Sequence, residues 1–143
     1  MKNLAQTFLL LLVLVAATSC SNNEPDGKWD KMKWKVPSGI EQFMEGYYKV
    51  PIAGGSFTFT CENYEPWIST LTESGPSYSN KYVHPIPDPH FLSGEWCSVS
   101  CVKKKVTFTF SPLDESQART FEITLTAGDI FYTFLFVQDA RMK

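Results

Sequence analysis

The segment FEITLT at residues 121–126 alternates apolar and polar side chains, with its Phe, Ile and Leu on one side. Because successive side chains of a β-strand point to opposite faces, such a segment has one core face and one wet face. The segments SFTFTC (56–61) and VTFTF (106–110) alternate in the same way and are rich in β-branched and aromatic residues. Several short strands with one apolar face each predict an all-β domain, built as a sandwich or a barrel.

Segments outside these three extend the pattern. The run IFYTFLFV (130–137) is apolar on both faces, which predicts a central strand or one covered from outside. The tripeptide AGD (127–129) before it fits a hairpin loop with a bulge. Near the start, KMKWKV (31–36) alternates lysines with apolar residues and predicts a first strand. The tetrapeptide SGIE (38–41) matches a helix capping box, so we expect at most a short helix near residues 39–45.

Length and composition favour one folded domain. The chain has 143 residues, of which 43% are hydrophobic and 15% aromatic, enough for a sizeable core. Its formal net charge is −2, and loss of a leader containing Lys2 would leave 12 basic and 15 acidic side chains. A mildly acidic domain gains little from the release of counterions around a phosphate backbone, so nucleic acid is not an expected partner.

The first twenty residues match a bacterial export signal. Residues 8–17 are an unbroken apolar run, too short for a transmembrane helix, which needs about 20 residues. The run leads into ATSC (17–20), which resembles the lipobox of bacterial lipoproteins, where signal peptidase II cleaves before a lipid-modified cysteine. The alternative is ordinary cleavage that leaves Cys20 as a free thiol.

The resemblance to a lipobox divides the chain into three parts. It implies a signal peptide at 1–19, a lipid-anchored Cys20 with a flexible tether at 20–28, and a single β-sandwich domain at 29–143. The tether is polar and contains Pro and Gly, as flexible linkers do. Two or more acyl chains give stable attachment. The implied partner is therefore a membrane, and the implied location is the bacterial outer membrane, at the cell surface or on the periplasmic face.

The segment GGSFTFTCENYEPWIS (54–69) resembles the first half of the BACON family, the Bacteroidetes-associated carbohydrate-binding domains. The family pattern is a Gly-Gly pair, an alternating strand, an Asn and then a Trp. The second half matches in order at WCSVS (96–100), VTFTF (106–110), RT (119–120) and FVQ (136–138). The resemblance covers about residues 48–139 and implies an immunoglobulin-like β-sandwich of about seven strands. It also implies that Trp67 and Trp96 pack in the core.

Three cysteines remain if Cys20 carries lipid, so at most one disulfide can form within the chain. Cys97 and Cys101 on one extended strand are about 13 Å apart, beyond the reach of about 7 Å between the Cα atoms of a disulfide. Either Cys61 pairs with one of them, or all three are buried free thiols. None has Cys-x-x-Cys spacing, so the cysteines predict no zinc site.

The segment HPIPDPH (84–90) contains both histidines of the chain, with an acid between them. Two imidazoles and a carboxylate are suitable metal ligands. The alternating prolines favour an extended path, however, which separates the two histidines by about 19 Å at about 3.1 Å per residue. We therefore expect a stiff surface loop here and no metal ion.

The loop at 73–94 is the candidate recognition segment, and residues 70–94 are longer than the matching connection of the BACON family. Its mixture of rigid aromatic and small polar residues is typical of recognition surfaces. Trp29, before the first strand, is a further candidate for stacking on a sugar ring. The candidate ligand-binding residues are Trp29, Tyr78, Tyr82, His84, His90 and Phe91. The alternative is that the loop aromatics fold back and pin the loop to the sandwich.

Known catalytic motifs are missing from the sequence. It contains no Gly-x-Ser-x-Gly, no phosphate-binding Gly-rich loop and no His-Glu-x-x-His, so neither enzyme activity nor a cofactor is expected. The run KKK (103–105) is expected to be a solvated connection. The expected function is that of a membrane-anchored extracytoplasmic lipoprotein that binds glycan or another extracellular ligand. The alternative is a structural subunit that docks another envelope protein without binding sugar.

Overall fold

The computed structural model describes residues 29–75, 78–114 and 118–141, without the side chains of 78–80. Within these ranges the protein has eleven strands and no helix, and therefore no helix that could cross a membrane. The strands are β1 (Trp34–Lys35), β2 (Glu41–Met44), β3 (Tyr47–Lys49), β4 (Gly55–Cys61), β5 (Trp67–Gly75), β6 (Tyr78–Val83), β7 (Phe91–Ser93), β8 (Cys97–Val102), β9 (Lys105–Phe110), β10 (Ala118–Ala127) and β11 (Ile130–Asp139). The expected signal peptide, Cys20 and the tether lie outside the described residues.

The strands form two packed sheets. The five-stranded sheet has the order β1-β4-β9-β8-β7, and the six-stranded sheet has the order β2-β3-β11-β10-β5-β6. Neighbouring strands are antiparallel except for β3 and β11, which are parallel. The prediction of an all-β sandwich is confirmed. Seven strands have six residues or more, and the short strands β1, β2, β3 and β7 raise the number above the expected seven.

Alternation along the long strands builds the core between the sheets. In β4 the two Phe and the Cys are buried, whereas the Ser and the first Thr are exposed, as the sequence predicted. Phe59 and Phe108 from one sheet meet Phe134 and Phe136 from the other, and all four are fully buried. The ring centroids of Phe108 and Phe136 are 4.6 Å apart. Burial of each Phe stabilises the fold by about 1.5–3 kcal/mol, so this aromatic layer holds the sheets together.

Strand β11 lies between β3 and β10, which confirms the prediction of a central strand. Its inner side carries the buried Phe134 and Phe136. On its outer side Phe131 is 61% exposed, so the second apolar face is only partly covered. The predicted hairpin to β10 is present. Its loop has two residues rather than three, because Ala127 pairs with Ile130 across the turn.

The short helix expected near 39–45 is absent, and the strand β2 takes its place. All four side chains of β2 are exposed, so a helix here would have no face packed against the core to stabilise it. The expectation was wrong because β3 pairs with β11 and thereby offers β2 an open sheet edge. That long-range pairing is invisible in the local capping pattern.

The three described cysteines are free and buried, so no disulfide forms among them. Cys61 lies on β4, whereas Cys97 and Cys101 lie on β8, and β9 separates the two strands. Two strand spacings amount to about 10 Å, which no disulfide bridges. Burial raises the pKa of the Cys101 thiol to about 12. Burial first, and then the charge of Glu73, raises the pKa of the Cys97 thiol still further.

Candidate binding face

Those predicted ligand-binding residues whose side chains the structure describes are exposed, and the set lies in three places. Trp29 precedes β1 and is 65% exposed. Tyr78 and Tyr82 lie on β6, followed by His84, although the side chain of Tyr78 is not described. The exposed residues His90 and Phe91 lie at the start of β7, across the Pro-rich connection.

Tyr82 and Phe91 point to opposite outer faces of the sandwich. Tyr82 lies opposite Thr72 of β5, whose side chain points away from the core, and it therefore belongs to the outer face of the six-stranded sheet. Phe91 lies opposite Ser100 of β8, on the outer face of the five-stranded sheet. The two exposed aromatics therefore cannot contact one compact ligand together.

The Pro-rich connection between β6 and β7 passes from the edge of one sheet to the edge of the other. The backbone N–H of Ile68 donates to the carbonyl of Pro89 at 2.8 Å, and that of Cys101 donates to the carbonyl of His90 at the same distance. Ile86 is half-buried against the core. The connection is thus pinned to both sheets by its backbone and an aliphatic side chain. Tyr82 and Phe91, on the strands that flank the connection, are 61% and 52% exposed. The Nδ1 atom of His84 lies 3.3 Å from the carbonyl oxygen of Ser69 on β5.

The outer face of the six-stranded sheet carries large exposed side chains on five of its strands. We call this surface the aromatic face, and define it by Met44 on β2, Tyr47 on β3, Trp67 on β5, Tyr82 on β6 and Phe131 on β11. These side chains are 37–61% exposed. Half of the large exposed hydrophobic side chains in the described residues belong to this face. They form part of one continuous sheet surface.

Cross-strand register arranges the aromatic face in rows. One row crosses all six strands through Tyr82, Thr72, Glu122, Leu135, Tyr47 and Met44, each opposite the next. Four strand spacings separate Tyr82 from Tyr47, or about 19 Å. A second row consists of Trp67, Thr126 and Phe131. The face is therefore long enough to contact several units of an extended ligand.

Between these two rows lies a row of hydroxyl groups. Thr70, Thr124 and Thr133 stand opposite one another on β5, β10 and β11. The hydroxyls of Thr124 and Thr133 share a hydrogen bond of 2.9 Å. The exposed carboxylate of Glu122 lies in the adjacent row. Small polar groups placed among flat rings fix the orientation of a bound ligand.

Trp67 belongs to the aromatic face, which corrects the expectation that it packs in the core. Its side chain is 37% exposed, whereas Trp96, the other expected core tryptophan, is 6% exposed. The cause is a bulge at Ser69: Thr124 pairs with Thr70, but the next residue of β10 pairs with Ile68. One extra residue in a strand turns every side chain beyond it to the opposite face of the sheet. Trp67 therefore turns outward.

Sequence reasoning missed Trp67, Tyr47 and Phe131 as surface residues. A signal for Trp67 was present, because Ile68 and Leu71 are both apolar and both buried although they are three positions apart. An odd separation of two core residues within one strand indicates a bulge. Tyr47 and Phe131 carried no such signal, since the side of the sheet that they face depends on strand pairing.

The opposite outer face has a different character. Hydroxyl pairs cover the centre of the five-stranded sheet, with 3.0 Å between the oxygens of Ser56 and Thr109 and 2.9 Å between those of Thr58 and Thr107. Phe91 stands on the edge strand of this sheet and is 52% exposed. In the described ranges, no group of three or more His, Cys, Asp or Glu side chains is arranged to hold a metal ion.

The fold and its exposed face define a β-sandwich domain with an aromatic outer surface. No protein-family model and no curated protein matches the chain. A solved structure does match: the NMR structure of a protein from Bacteroides thetaiotaomicron is 34% identical, with a TM-score of 0.67. The match covers 87% of this chain and 99% of that one. The chain belongs to the same family as this Bacteroides thetaiotaomicron protein.

Proposed function

We propose that the protein is a membrane-anchored extracytoplasmic lipoprotein whose BACON-like sandwich binds a glycan chain on the aromatic face. The observation that carries the proposal is the row from Tyr82 to Tyr47. It has two exposed rings, with Thr72, Glu122 and Leu135 between them. The anchor rests on the lipobox-like segment that ends at Cys20. The BACON resemblance of residues 48–139 supports a glycan as ligand. The Bacteroides thetaiotaomicron relative supports the fold.

Physical chemistry favours sugar as the occupant of this face. Tyr and Trp offer large rigid contact area with little loss of side-chain entropy, and their rings pack against the apolar side of a sugar ring. Thr hydroxyls and the Glu122 carboxylate provide donors and acceptors for sugar hydroxyls. The centre of a protein–protein interface is usually depleted of charge, whereas Glu122 lies in the middle of the row. This placement argues against a protein partner.

A glycan array with the soluble fragment 27–143 tests the proposal. We expect binding to at least one polysaccharide class, and Tyr82→Ala and Tyr47→Ala should each weaken that binding about tenfold, since loss of an interface aromatic exceeds about 1 kcal/mol. Phe91→Ala is the matched control, because Phe91 is similarly exposed on the opposite face. Its affinity should equal that of the unaltered fragment.

Two results would contradict the proposal. The first is the absence of binding to any glycan, and the second is equal loss of affinity in the Phe91→Ala control. The alternative function, docking of an envelope protein, is favoured by the apolar end of the face at Met44, Leu135 and Val137. Capture of one stoichiometric partner from membranes, not displaced by sugar, would support that alternative.

A further inference from the structure

A cleft opens at the edge of the sandwich, between β1 of one sheet and the β2–β3 hairpin of the other. Its volume is about 290 Å³. The cleft is lined by Lys31, Met32, Lys33, Trp34, Val36, Gln42, Glu45, Tyr48 and Tyr132. None of these residues belongs to the aromatic face. The cleft is near the lower end of the size range of small-molecule sites, about 300–1,000 Å³.

Two polar atoms in the wall of this cleft lack a partner among the described residues. They are the indole Nε1 of Trp34 and the phenol oxygen of Tyr48, and both are buried. The Tyr48 hydroxyl lies beside the phenol of Tyr132. An unpartnered buried polar group costs about 1–3 kcal/mol. A ligand atom, or a water molecule, that supplies the missing partner recovers this free energy.

The Trp34 ring is held in place by the core. Its centroid lies 4.8 Å from that of Phe134, edge to face, and 5.5 Å from that of Tyr132. The indole therefore cannot turn its N–H into solvent without breaking these contacts. Burial, followed by the neighbouring Tyr132 and Glu45, raises the pKa of the Tyr48 phenol, which stays neutral and able to donate.

The remaining lining groups select among ligand classes. Lys31 and Gln42 offer donors at the rim, whereas the Glu45 carboxylate offers acceptors. A purely apolar ligand would leave Trp34 Nε1 without a partner. The lining carries charges of both signs, so a cationic ligand would meet Lys31 and Lys33, and an anionic one would meet Glu45. A neutral ring with hydroxyl groups avoids both repulsions and supplies the missing partner. The buried Met32 gives such a ring an apolar surface to pack against.

We propose that this edge cleft binds one neutral pyranose ring, with a ring hydroxyl accepting a hydrogen bond from Trp34 Nε1. The ring comes from a free monosaccharide or from the end of a glycan chain. The cleft is a second site, since it lies on the inner side of the sandwich edge and shares no residue with the aromatic face. The proposal therefore holds or fails independently of the aromatic face.

The test follows the indole N–H signals of the full-length chain, purified in detergent, in nitrogen–proton NMR spectra. The four tryptophans give four such signals, and the one missing in Trp34→Phe belongs to Trp34. Titration with neutral monosaccharides at millimolar concentration should shift this signal saturably. A second titration uses an oligosaccharide that ends in the same sugar, and it distinguishes a free monosaccharide from the end of a glycan chain as the natural ligand. A saturable shift with either compound, or with both, supports the proposal that the cleft binds a sugar ring.

Matched variants separate binding from folding. Tyr48→Phe removes one hydroxyl and should weaken binding about threefold to tenfold, the usual range for one neutral hydrogen bond. Val102→Ala, at an exposed position of β8 in the five-stranded sheet, should leave the Trp34 response unchanged. An unshifted Trp34 signal with every sugar would mean that the cleft holds only water, and would overturn the proposal. Preference for an acidic over a neutral sugar would overturn it as well.

Discussion

Gln138 is a fully buried polar residue that connects three segments of the chain. Its amide nitrogen donates to the carbonyl of Pro51 at 2.7 Å, and its amide oxygen accepts from Arg119 Nε at 2.9 Å. The guanidinium of Arg119 also donates to the carbonyl of Ser111 at 2.7 Å and lies 4.4 Å from the centre of the Trp96 ring. This network ties the paired strands β10 and β11 to the segments at Pro51 and Ser111.

Replacing Gln138 by Leu should destabilise the fold by about 2–4 kcal/mol. The change removes the hydrogen bonds that the Gln138 amide makes to the carbonyls of Pro51 and Ile52 and accepts from Arg119 Nε. Loss of a buried hydrogen-bond partner costs about 1–3 kcal/mol. The measurement is the midpoint of urea unfolding. Gln42→Leu is the control, because Gln42 is exposed and surface changes stay within about 0.5 kcal/mol. Equal midpoints for the two variants would contradict this role of Gln138.

Turns decide how individual strands enter the sheets. The backbone N–H of Gly54 donates to the carbonyl of Pro51 at 2.9 Å, closing the turn that leads into β4. Gly54 has a φ of +72°, and a Cβ at this position would collide with the carbonyl of Phe110 on β9. Gly54 thus combines a left-handed backbone with a close approach between two segments. Gly128 has a similar φ of +69°, but nothing lies within 4 Å of its added Cβ.

The pair Gly54→Ala and Gly128→Ala separates these two effects. Gly128→Ala should destabilise by about 1–2 kcal/mol, the usual cost of the left-handed region for a residue with a Cβ. Gly54→Ala should destabilise more, because the β4 and β9 backbones must also move apart. Thermal and urea unfolding of both variants would test the order. A smaller loss of stability for Gly54→Ala than for Gly128→Ala would contradict this prediction. It would show that the turn before β4 can move to accommodate the added methyl group.

At the scale of the whole molecule, burial between the sheets disfavours the charged forms of two thiols and a phenol. Burial raises the pKa values of Cys97 and Cys101, and also that of Tyr48 at the other edge of the core. Each of these groups is neutral when protonated. The folded protein therefore retains protons that the unfolded chain releases at high pH. The stability that these groups contribute is fully present below about pH 9, the ordinary pKa of a thiol. It declines as the pH rises from there towards the higher pKa values of the folded protein.

We expect the free energy of unfolding to be about 3 kcal/mol lower at pH 10 than at pH 8. The unfolded chain releases two thiol protons with an ordinary pKa of 9.0, and each released proton lowers stability by about 1.4 kcal/mol per pH unit. Urea unfolding at both pH values measures the difference. A variant with Cys97→Ala and Cys101→Ala should lose much less between the two pH values. An equal loss in both proteins would assign the pH dependence to other groups.

Local alternation was enough to predict the all-β sandwich, the buried Phe residues and the central place of residues 130–137. Each of these follows from the period of two, which neighbouring residues express by themselves. The exposure of the loop aromatics at Tyr82 and Phe91 also agrees with the candidate list. The opposite directions of these two rings could not be predicted, because they stand on edge strands of different sheets.

The sequence by itself determined that two sheets bury their alternating apolar sides against each other. Tertiary structure alone decided which exposed rings share a surface. Trp67 faces outward because a bulge shifts its pairing with Thr126, and residues 41–44 form a strand because β3 pairs with β11. Both outcomes depend on partners far away along the chain. Register between distant strands sets the facing of each side chain, and a single extra residue reverses it.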